Sequence, residues 1–108
     1  FVAPTVLANV DNSMAVARDE IFGPVLCVIP FGDEDEAIRL ANDTTYGLAA
    51  AVYTCDVGPA VRAGNVGVDT WTLQPHAPFG GMKQSGLGRE NGRAGIMEYL
   101  DTKTTFLG

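Results

Sequence analysis

Val25–Phe31 (VLCVIPF) is apolar at six of its seven positions, and a run so short and uniform constrains the fold more than any other feature of the chain. The polar/apolar alternation of a strand with one wet face is missing, so the run predicts a strand covered on both faces, as in sheets with helices above and below. A helix is predicted next to it. Asp33 stands where an N-cap belongs and Glu36, three residues on, completes a capping-box pattern. Ala37, Ile38, Leu40 and Ala41 then lay down an apolar stripe before Asn42 and Asp43 end the segment. Leu48–Thr54 (LAAAVYT) and Asn65–Asp69 (NVGVD) read as two more strands, Thr5–Val10 as a short apolar run and Ser13–Arg18 as a turn or two of helix. Strands alternating with helical segments predict an α/β fold.

A chain of 108 residues has room for one domain and one small core. Seven basic against thirteen acidic residues give a net charge of -6. Such a chain repels phosphate backbones and anionic lipid, which argues against nucleic-acid and membrane-surface partners. No apolar stretch approaches the roughly twenty residues of a membrane span, and no secretory signal pattern is visible. Cytoplasm is the expected compartment. The Phe-Val-Ala-Pro start, without Met, is expected of a processed product or a fragment.

Residues 78–95 (PFGGMKQSGLGRENGRAG) hold six of the thirteen glycines. Gly81 and Gly86 have the phosphate-loop gap, but Leu87 stands where its lysine must be; Asn91 stands where a dinucleotide fingerprint after Gly86 and Gly88 needs its last glycine. The segment therefore reads as an irregular loop, followed by a helical end at Ile96–Leu100 and a strand at Thr102–Leu107. Cys27, Cys55 and His76 lie far apart with no metal-ligand spacing, so no metal site is expected. Cys27 sits within an apolar run, the setting of a packed thiol rather than a nucleophile, and Cys55 adjoins the Asp56 carboxylate. Glu20-Ile21-Phe22-Gly23-Pro24 is different: it puts a carboxylate and a ring at a loop tip before a buried strand. A carboxylate can accept two hydrogen bonds from a sugar diol and a Phe face can pack a flat heterocycle. Arg18, Asp19 and Glu20 equally fit an ordinary charged surface.

Longer strings carry a further argument. FVAPTVLANV, ARDEIFGPVLCVIPF and DEDEAIRLANDTTYGLAAAVYT, in that order, strongly resemble the C-terminal part of NAD(P)-dependent aldehyde dehydrogenases, and APFGGMKQSGLGRENGRAGIMEYLDTKT is similar to that family's closing segment. The resemblance covers nearly the whole chain apart from Cys55–Ala63. It implies part of an α/β catalytic domain, a mostly parallel sheet with helices, over residues 1–100, and an oligomerisation strand over 101–108. It implies that Glu20 hydrogen-bonds the nicotinamide ribose, that Phe22 lies against the nicotinamide, and that Phe79 and Trp71 line the aldehyde channel. NAD or NADP as cofactor, an aldehyde substrate and a homo-oligomer follow from the same resemblance.

The departures count as well. Neither Cys27 nor Cys55 lies in the GQ-x-C context of the family's nucleophile, so no catalytic residue is assigned. Asp69 replaces the Asn of the family's V-N-T stretch, and the crossover around Cys55–Ala63 is shortened against the dozen or so residues a parallel connection needs. The chain alone is expected to be inactive. The alternative is a non-catalytic, self-assembling module derived from the family.

Overall fold

A computed structural model describes residues 1–55 and 61–108. Where the length suggests one domain, the chain forms two compact units, residues 1–44 and 45–108. The predicted parallel pairing is present, but as two separate two-stranded sheets rather than one larger sheet.

In the first unit β1 (Thr5–Leu7) pairs with β2 (Val25–Cys27), Thr5 opposite Val25 and Leu7 opposite Cys27. The pairing continues past the strand ends, with the Val28 N–H donating to the Leu7 carbonyl (2.8 Å) and the Val10 N–H to the Val28 carbonyl (3.1 Å). Pro30 has no N–H with which to extend it. Between the strands lies α1 (Ala15–Arg18), and after β2 comes α2 (Glu34–Asn42). Asp33 caps α2 as predicted, its Oδ1 accepting the Glu36 N–H at 2.8 Å. Glu36 reaches back one residue further than a standard capping box, accepting the Gly32 N–H at 2.7 Å. Thr5, Leu7, Val25, Cys27 and Ile29 form a half-buried face. On the other face Val6, Leu26 and Val28 are 66%, 59% and 44% exposed. The expectation that Val25–Phe31 is covered on both faces is thus met on one face only, because two short helices supply a single covering layer. Val10, 6% exposed, is the one buried apolar side chain among the described residues.

The second unit is built on β3 (Ala49–Val52) and β4 (Asn65–Val68), parallel, with Ala49 opposite Asn65 and Val52 opposite Val68. A parallel pair needs a connection of about a dozen residues; the stretch between the strands meets that length, and the shortened crossover expected there falls partly on residues 56–60, outside the described residues. The glycine-rich segment contains a 3-10 turn at Lys83–Ser85 and α3 at Gly92–Met97. The helix expected at Ile96–Leu100 therefore starts four residues earlier and ends at Met97. Its start is set by packing, not propensity: a side chain at Gly92 would overlap the His76 carbonyl, so a residue that reads as a helix breaker is the one that fits. The strand expected at Thr102–Leu107 is not formed. Residues 101–108 are all exposed without regular structure, since a strand needs a neighbour for its backbone groups and no described segment of the chain supplies one.

Candidate functional site

Glu20 and Phe22 share the loop between α1 and β2. Asp19 leaves the helix in extended conformation, and Phe22 then takes φ 51°. That left-handed conformation costs an ordinary side chain roughly 1–2 kcal/mol. The Val25 N–H donates to the Gly23 carbonyl and the Thr5 N–H to the Pro24 carbonyl, both at 2.8 Å, fastening the loop to the sheet just behind the strained residue. The result is an aromatic ring held out in solvent, 92% exposed, two residues from an exposed carboxylate. Strain of this kind persists only where surrounding structure holds it, and it clusters at ligand-contacting positions.

Trp71 and Phe79 are brought together in the second unit. Both line one open cavity of about 300 Å³, with Val68, Thr70, Leu73 and Pro78 among its other walls. A side chain at Gly67 would overlap the Thr70 carbonyl, so this glycine lets the chain fold back over β4 and carry Trp71 to the cavity. Phe79 is fixed by its backbone: its N–H donates to the Glu90 carbonyl (2.8 Å) and its carbonyl accepts the Glu90 N–H (2.7 Å). Inside the loop so closed, Arg89 Nη1 donates to the carbonyls of Gly81 (2.8 Å) and Gly88 (2.9 Å), with Leu87 at 3.4 Å. Asn65 Nδ2 ties the loop to the sheet, donating to the carbonyls of Leu48 and Gly80, each at 3.0 Å.

Asp69 closes the β3–β4 pair. At φ 52°, it donates its N–H to the Val52 carbonyl (2.8 Å) and accepts the Thr54 N–H on Oδ1 (3.1 Å). Asn and Asp both tolerate the left-handed conformation and both offer that oxygen, which accounts for Asp where the resemblance leads one to expect Asn. Cys27 is half-buried, its Sγ 3.5 Å from the Val16 carbonyl, and Cys55 is exposed. Among the described residues no group of His, Cys, Asp and Glu could hold a metal ion.

Sequence reasoning missed Arg18, Asn65 and Arg89. Arg18 looked like surface charge because its partner Asp43 lies 25 positions away. Arg89 and Asn65 spend their donors on backbone carbonyls, which carry no side-chain signature.

The Glu20–Phe22 loop fits a ribosyl-nicotinamide: a carboxylate has the acceptor geometry for a vicinal diol and an exposed ring offers an apolar face. The Trp71–Phe79 cavity, walled by apolar, hydroxyl and amide side chains, fits a small organic substrate. No helix among the described residues is long and apolar enough to cross a membrane.

The chain matches the family model described as "Aldehyde dehydrogenase family" over residues 1–105. It is 46% identical over 114 aligned residues to the betaine aldehyde dehydrogenase of Brucella ovis, a match covering 99% of this chain and 23% of that protein. Aldehyde dehydrogenase C from Pseudomonas syringae, in a mutant crystallised with NAD+ and octanal, superposes with a TM-score of 0.88 at 52% identity, covering 93% of this chain and 22% of that one. A mutant of the P. syringae indole-3-acetaldehyde dehydrogenase AldA, in complex with NAD+ and IAA, gives 0.92 at 46% identity, covering 97% and 23%. The chain thus spans less than a quarter of the length of these relatives.

Proposed function

Because this chain belongs to the aldehyde dehydrogenase family, we propose that it serves as the C-terminal quarter of a subunit that oxidises an aldehyde to a carboxylic acid with NAD or NADP. Residues 1–100 complete the catalytic domain and residues 101–108 form a strand that pairs with another subunit in a cytoplasmic homo-oligomer. Glu20 accepts hydrogen bonds from the nicotinamide ribose, Phe22 packs against the nicotinamide, and Phe79 and Trp71 shape the aldehyde channel. When bound, the cofactor supplies the acceptor for the hydride that leaves the aldehyde carbon. The nucleophilic thiol and the base that activates water come from parts of the subunit outside these residues.

The observation that carries this reading is the display of Phe22: strained, exposed, and two residues from a carboxylate. Two measurements test the reading. The natural gene product should have an intact mass several times that of 108 residues, and the 108-residue chain alone, given an aldehyde and NAD, should produce no NADH. Turnover by the chain alone, abolished by Cys55→Ala, would overturn it.

The exposure of Phe106 and Leu107, 91% and 92%, favours a second reading, a non-catalytic module that assembles through this terminus. That reading expects a natural product of 108 residues forming a defined oligomer in light scattering, weakened by Phe106→Asp.

A further inference from the structure

We infer that Arg18 is a positioning residue that sets the Glu20–Phe22 loop by locking the end of α1 to the end of α2; this rests on the reading of Glu20 as the ribose ligand. At four residues, α1 is far too short to be stable by its own hydrogen bonds, and Met14, ahead of it, makes no side-chain cap. What fixes its last residue is the guanidinium. Arg18 Nε donates to the Asn12 carbonyl, Nη1 to the Asp43 carbonyl at 3.0 Å, and Nη2 to Asp43 Oδ2 at 2.8 Å. Asn12 joins the same lock from its other end, its Nδ2 donating to the Leu40 carbonyl at 3.0 Å.

Asp43 is a firm anchor, being the C-cap of α2 with its own N–H bonded to the carbonyls of Arg39 and Leu40. A carboxylate at a helix C-terminus is electrostatically unfavourable and a cation there favourable, so Arg18 both offsets the Asp43 charge and uses it. Only Asp19 separates Arg18 from Glu20, a span of at most about 7 Å of extended chain. Freedom given to the Arg18 backbone therefore reaches the Glu20 backbone through a single intervening residue. A planar fork engaged through three nitrogens defines orientation as well as distance, which a lysine ammonium cannot do.

The test uses the complete polypeptide that carries this segment and has two readouts. First, without cofactor, hydrogen exchange of the Asp19 and Val25 amides, which bracket the loop and donate to the Ala15 (2.9 Å) and Gly23 (2.8 Å) carbonyls, should speed up in Arg18→Ala and in Asp43→Asn, and less in Arg18→Lys. Unchanged exchange in all three overturns the proposal whatever Glu20 does. Second, the dissociation constant for NAD should rise about fivefold in Arg18→Ala while the KM for aldehyde holds, and should rise no further when Arg18→Ala is added to Glu20→Gln, the non-additivity expected of residues acting as one unit. Equal losses in both backgrounds overturn the proposal, because Arg18 would then act independently of Glu20. If Glu20→Gln leaves NAD affinity unchanged, the ribose reading fails and the exchange measurement alone decides the role of Arg18. Should Arg18→Ala not fold, Arg18→Lys and Asp43→Asn carry both readouts.

Discussion

The two units bury different things. Among the described residues, the first buries one side chain, Val10, whereas the second buries three glycines, Gly47, Gly81 and Gly95. In the first unit a site loop is held by long charged side chains reaching across sequence, with Arg18 gripping Asp43. In the second, the site loop is held by backbones in contact. The Gly47 carbonyl accepts the N–H groups of Gly64 (2.9 Å) and Met82 (2.8 Å), and glycines at the crossings let the chains approach. Side-chain anchors are adjustable and sensitive to charge. Backbone interlocks are rigid and intolerant of a single added methyl group.

The sharpest way to break that contrast is to add the methyl. A Cβ at Gly64 would overlap the Gly80 carbonyl oxygen and lie 2.8 Å from its carbon, and backbone cannot swing aside as a side chain can. Gly64→Ala should destabilise the protein by about 3 kcal/mol, at the upper end of overpacking costs, and displace Phe79 through Gly80. Gly88 lies in the same loop, with nothing within 4 Å of its Cβ position. Gly88→Ala should stay within about 0.5 kcal/mol of wild type. Denaturant unfolding of the two variants checks the pair, and equal losses would refute the interlock.

Next in size is Arg89, a charged residue that braces the second unit's loop. Its half-buried guanidinium meets only carbonyl oxygens, so its loss leaves acceptors without donors, including that of buried Gly81. Arg89→Met should cost about 2 kcal/mol, the range for hydrogen bonds to a charged group. Arg89→Lys should recover part of it, since an ammonium reaches fewer carbonyls at once. The urea midpoints of the two variants test this ordering.

How much of this was legible in the sequence follows the same division. The α2 helix could be read because its cap, its box and its apolar stripe all fall within ten residues. The parallel strands β3 and β4 could be read from short apolar runs, and the exposed loop carrying Glu20 and Phe22 from the Gly-Pro turn that follows them. Interlocks could not be read, because a glycine's letter does not say which carbonyl it faces; the start of α3 at Gly92 is decided by His76, 16 positions earlier. Nor could the Arg18–Asp43 lock, whose partners are joined by folding alone. Thr102–Leu107 has the alternation of a strand, yet alternation describes two faces and supplies no neighbour. The bare face of Val6, Leu26 and Val28 shows the same limit: apolar sequence states that a surface needs cover, not where the cover is.

The Arg18 lock separates stability from positioning. Its two side chains are 40% and 53% exposed, so solvent and salt screen the ion pair, and Arg18→Ala should lower stability by no more than about 1 kcal/mol. The same substitution is expected to weaken NAD binding. A large loss of stability with intact binding would reverse the comparison, making the lock a structural brace and the loop self-supporting.

The smallest effect is one of pH, and it too distinguishes the units. Asp11 opens the turn before α1, and the Ser13 hydroxyl and N–H, the latter donating at 2.7 Å, hold its carboxyl below the usual carboxylate range. The fold thus favours the charged form. Its contribution is fully present above the ordinary carboxylate pKa and is lost as pH falls through the lowered one. Asp11→Asn keeps an acceptor oxygen but removes the titration. Hydrogen exchange at Ser13 and Met14 should quicken relative to Asp11→Asn as the solution is acidified, whereas exchange at Gly64 and Met82, whose N–H groups bond to the Gly47 carbonyl, should show no such difference. If acid leaves the Asp11 turn as tight as in the Asn variant, the turn owes nothing to charge, and the first unit is held more like the second than its bonds indicate.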